Sequence, residues 1–77
     1  TYRTNIEFRT FTNGHARVEI LNLTGYRVSL LFDGEAEALV PYLLDFTANE
    51  LPGGVYFARI TSGNLAPVVH KMTLLAE

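Results

Sequence analysis

The feature that most constrains this chain is an apolar period of two that recurs along nearly its whole length. Ile6 and Phe8 alternate with Glu7 and Arg9, and Ala16, Val18 and Ile20 alternate with Arg17 and Glu19. Tyr26, Val28, Leu30 and Phe32 continue the pattern, as do Tyr42, Leu44 and Phe46. Successive side chains point to opposite sides of a strand, so this period describes strands with one face against a core. Turn signals punctuate the runs: Asn13-Gly14, Thr24-Gly25, Asp33-Gly34, Leu51-Pro52-Gly53-Gly54 and Ser62-Gly63-Asn64. A fifth strand is expected over residues 54–61 and a last one over about residues 67–75, with Pro41 and Pro67 at strand starts, where a missing N–H is tolerated. Strands every ~8 to 12 residues predict an all-β antiparallel sandwich or barrel of about six or seven strands. Residues 34–40 have the composition of a helical turn, but the segment is too short to stand alone.

The chain has 77 residues, which makes residues 1–77 a single small domain, and it has no cysteine, so the core must suffice without a disulfide. Six Lys and Arg against eight Asp and Glu are scattered singly, which gives no basic patch for nucleic acid. No apolar run approaches the ~20 residues that span a bilayer, so membrane insertion is not expected. The start, TYRTNIEFRT, has neither the charged nor the apolar region of a signal peptide, and it lacks an initiator Met. The chain is therefore expected to be excised from a longer protein.

Catalytic chemistry finds little purchase. Nucleophilic catalysis needs a nucleophile, a base and an orienting group, yet His15 and His70 stand far apart and neither adjoins a nucleophile elbow. Two histidines without cysteine offer no clustered metal-ligand spacing, and Glu35 with Glu37 falls short of a calcium loop. Asp33 is read as part of a turn, its side chain bonding the local backbone. No glycine-rich loop precedes a helix, so no phosphate cradle is expected. The expectation is a non-enzymatic domain without cofactor or metal. Tyr26, Tyr42 and Tyr56 take strand positions and are expected to be buried or half-buried. An exposed row of them would make a carbohydrate platform instead.

Leu51-Pro52-Gly53-Gly54 reads as a corner, because proline presets φ and glycine permits positive φ. Tyr56 follows directly. In immunoglobulin-type sandwiches a tyrosine placed in this way bends its hydroxyl back to the preceding backbone, forming a tyrosine corner. With Tyr56, Ala58 and Ile60 facing inward, Arg59 faces out.

The order of these segments is specific. TNIEFRT leads to RVEILNLTGYRV, then through a fourth strand to LPGGVYFARITSGN, and last to VVHKMTLL. This order resembles the type A C-terminal sorting domains of the type IX secretion system. Asn22-Leu23-Thr24-Gly25-Tyr26-Arg27-Val28 matches one family segment. Leu51, Gly54, Val55, Tyr56, Phe57 and Arg59 match a second, and Lys71, Met72, Leu74 and Leu75 match the closing strand. The chain departs from the family pattern at Val40-Pro41, where a glycine often opens the fourth strand, and at Leu75-Ala76-Glu77, where members often end on a basic residue.

The resemblance implies an immunoglobulin-like antiparallel β-sandwich of about seven strands. It implies a non-catalytic signal fused behind an upstream cargo domain and read by the outer-membrane secretion machinery. A sortase-like peptidase then removes it, so the cargo passes through the periplasm to the cell surface or the medium. The recognition candidates carried over are Gly25, Gly54, Val55, Tyr56, Phe57 and Lys71. The alternatives are a carbohydrate- or protein-binding module and a fibronectin-III-like spacer on a secreted enzyme. Few charges besides Glu7 and Arg9 guard the first strand as an edge.

Overall fold

A computed structural model describes residues 2–48, 51–63 and 65–74; Asn64 and Leu75, expected in a turn and in the last strand, lie outside them. Six strands form among the described residues: β1 (Tyr2–Phe8), β2 (Gly14–Leu21), β3 (Arg27–Ala36), β4 (Tyr42–Ala48), β5 (Gly54–Ser62) and β6 (Val68–Leu74). The all-β expectation holds, with six strands in place of about seven. All strand pairings are antiparallel and fall into two sheets, β1-β4 and β3-β2-β5-β6. Only the β2–β3 and β5–β6 connections stay within one sheet; the other three cross between sheets.

The inward residues of both sheets make the core. Ile6, Phe46, Ile20, Tyr56, Ala58 and Leu74 pack in one cluster. Phe8, Tyr42 and Leu44 meet Ala16, Val18 and Ile60 in a second. Strand alternation thus delivers one face of each sheet to a shared apolar layer, the arrangement of a small β-sandwich. Phe8 sits between Phe32 and Tyr42, with ring centroids 5.1 and 5.2 Å away.

The cover is uneven. Two strands lie over four, and the inner face of β6 is left open at Val68 and His70. Between β1 and the β5–β6 hairpin runs a cleft of about 370 Å³ lined by Ile6, Ala58, Ile60, His70 and Met72 among others.

Three local expectations are corrected. Asp33-Gly34 is no turn: both lie inside β3, where Gly34 pairs with Ala16 and Asp33 with Arg17. Pairing along β2 overrides the local turn preference, and the Asp33 carboxylate meets His15 Nε2 at 2.6 Å rather than the local backbone. Strict alternation in β3 also fails. Val18 pairs with Phe32 and Glu19 with Leu30, so Leu31 is the extra residue of a bulge. The bulge turns Leu31 onto the core and leaves Leu30 exposed. Finally, Tyr26 is 75% exposed, because it closes the β2–β3 turn before β3 begins.

Candidate functional site

Two segments singled out in the sequence, residues 22–28 and 51–59, lie either side of β2, because β3 and β5 both pair with it. At one end of the sandwich their turns share a pocket of about 270 Å³, lined by Leu23 and Thr24 from one turn and by Pro52, Gly54, Val55 and Tyr56 from the other.

Each turn has its own internal cause. Asn22 Oδ1 accepts hydrogen bonds from the Thr24 N–H at 3.1 Å, the Thr24 hydroxyl at 2.9 Å and the Tyr26 N–H at 2.9 Å. Gly25, at φ 94°, takes a conformation that side chains with a Cβ rarely adopt, and its N–H bonds the Asn22 carbonyl. In the other turn, the Tyr56 hydroxyl donates to the Pro52 carbonyl at 2.7 Å while the ring is buried. The tyrosine corner expected from LPGGVY is therefore present. Gly54 has φ 149° and open space around its Cβ position, so backbone conformation rather than crowding favours glycine there.

Phe57 and Lys71 sit elsewhere. They are paired neighbours on β5 and β6, on the outer face of the four-stranded sheet. The same row continues through Leu21 on β2 to Arg27 on β3. In the adjacent row Glu19 pairs with Arg59, which pairs with Val69. Glu19 is 5% exposed although it faces outward. Arg59 Nε and Nη2 donate to its Oε1 at 3.2 and 3.0 Å, and Arg27 Nη1 lies 3.5 Å from Oε2. A buried carboxylate needs such partners, and the two guanidiniums supply them from both neighbouring strands.

The six candidates thus divide. Gly25, Gly54 and Tyr56 shape two turns, with Val55 at the pocket they form, whereas Phe57 and Lys71 stand on an open face. Sequence reading missed Glu19 and Arg27 as parts of that face. Glu19 read as an ordinary outward charge, and only the register reveals that Arg27 and Arg59 converge on it. Among the described residues no group of three or more His, Cys, Asp or Glu side chains is arranged to hold a metal ion. Aromatic stacking involves Phe8, Phe32 and Tyr42, so Tyr42 belongs to the core while Tyr26 stands apart from it. Comparison with protein-family models, curated proteins and solved structures finds no match.

Proposed function

We propose that the chain is a non-catalytic sorting domain of the type IX secretion kind, read in its folded state by outer-membrane machinery. The reading starts from the motif order, and one observation carries it further. Segments 22–28 and 51–59, nearly thirty residues apart in sequence, are joined around β2, with turn residues at one end and Arg27, Phe57, Arg59 and Lys71 on one face. A machine that accepts many cargoes needs such a composite surface, which exists only when the sandwich has formed. In this reading the turn residues specify the fold, the face supplies the contacts, and a sortase-like peptidase acts upstream of them. The domain then travels through the periplasm with a fused cargo, which is delivered to the cell surface or medium.

The test fuses residues 1–77 behind a reporter that carries an export signal, in hosts with and without the secretion system. Surface or medium delivery is expected only where the machinery is present. Equal delivery in both hosts sinks the proposal. Tyr56→Ala is run beside a protease-resistance measurement, because lost folding imitates lost recognition.

A further inference from the structure

The outer face of the four-stranded sheet carries a row ordered cation, apolar, apolar, cation: Arg27, Leu21, Phe57 and Lys71. Neighbouring strands lie about 4.8 Å apart, so Arg27 on β3 and Lys71 on β6 are about 14 Å apart at the backbone. Arg59 adds a second guanidinium in the next row, diagonal to Lys71. Glu19 is the carboxylate that this group engages among the described residues. Two guanidiniums on one carboxylate, with Lys71 beyond them, leave this group net positive. Farther along the face, Asp33 is already engaged by His15 and Arg17.

We infer that this face docks an extended acidic polypeptide segment with the pattern acid, any residue, apolar, any residue, acid. In an extended chain alternate side chains share one side, and residues four apart stand about 13 Å apart. That span matches Arg27 to Lys71, with the apolar residue over the half-buried Phe57, since Leu21 beside it is only 9% exposed. A single phosphate reaches donors only within about 3 Å and fits one end of the row, not both. The two-ended charge pattern therefore selects a chain bearing two carboxylates. This partner chemistry builds on the face invoked for sorting, but binding is measured without any secretion machinery.

The experiment is fluorescence anisotropy of residues 1–77 with the labelled peptide Ser-Glu-Thr-Leu-Thr-Glu-Ser. Its comparators are the same peptide with Gln for both Glu, inorganic phosphate, and vesicles containing an anionic lipid. The Glu peptide binds and the Gln peptide binds about tenfold less well, because charge-assisted hydrogen bonds are lost at both ends. Binding weakens as salt rises from about 0.05 to 0.5 M, as screened surface charges require. Lys71→Glu and Arg27→Gln each weaken it about fivefold, the scale of an exposed ion pair. Thermal melts confirm that both variants fold, and Leu43→Glu, on the outer face of the other sheet, leaves binding unchanged. Equal binding of the two peptides overturns the proposal, as does indifference to Lys71→Glu. Phosphate or anionic vesicles binding in place of the peptide also overturns it, in favour of a headgroup. Peptide binding without machinery-dependent export upholds the docking surface and removes the sorting reading; export without peptide binding does the reverse.

Discussion

Strands β2 and β6 belong to the same sheet, yet their inner faces have different fates. On β2, Ala16, Val18 and Ile20 are fully buried beneath β1 and β4. On β6, Val68 is half exposed and His70 is exposed, and burial returns only at Leu74. The strand itself does not decide this; the number of strands overhead does. A two-stranded layer covers the middle of a four-stranded one and stops short of its β6 edge. Apolar alternation therefore signals core only where a partner sheet arrives.

The contrast is open to measurement. Ile20→Ala should lower unfolding free energy by about 3 kcal/mol, the cost of a large cavity in a covered core. Val68→Ala should cost less than about 0.5 kcal/mol, as at most surface positions. Urea midpoints at unchanged slope would compare them, and similar losses at both sites would break the distinction. Next in size stands the outer face. Arg59→Ala removes two hydrogen bonds from a carboxylate that stays buried, and about 1.5 kcal/mol of destabilisation is expected because Arg27 remains. A loss below about 0.3 kcal/mol in the same titration would mean that Glu19 reaches water instead. A smaller loss than that of Arg59→Ala probes the corner. Tyr56→Phe keeps the buried ring and deletes the bond to Pro52, for about 1 kcal/mol. Faster protease cutting near Pro52 should accompany it, and an unchanged digestion pattern would show that the hydroxyl does not hold that connection.

Much of the fold was legible because its signals are local. The inward residues of β2 follow from a period of two, and the corner at residues 51–54 from proline, glycine and the tyrosine that follows. What escaped reading depends on pairing. Asp33-Gly34 has the composition of a turn, and only its partners on β2 keep it extended. The bulge at Leu31 reverses a face without any residue that announces it. Tyr26 fits the apolar alternation but falls one residue outside β3. The candidate site divided for the same reason. Glycines at 25 and 54 advertise their backbone role, whereas the company that Lys71 keeps with Phe57, Leu21 and Arg27 exists only in the assembled register. His70, on the inner row of β6, reads in the sequence as a half-exposed strand histidine, but how far the cover stops short is a property of the opposite layer.

The pairings that build the two sheets also set a clock. The two hairpins, β2–β3 and β5–β6, link neighbours in sequence, but Asn5 meets Asp45 and Glu19 meets Arg59 across forty residues of chain. Closing loops of that size before any reward arrives makes folding slow, on the scale of milliseconds to seconds for such β topologies. A nascent chain therefore lacks the corner pocket until β5 has emerged and reached β2, and the charged row until β6 has also paired with β5. The two surfaces are thus completed in order, pocket before row, and the row that ends at Lys71 marks a finished four-stranded sheet.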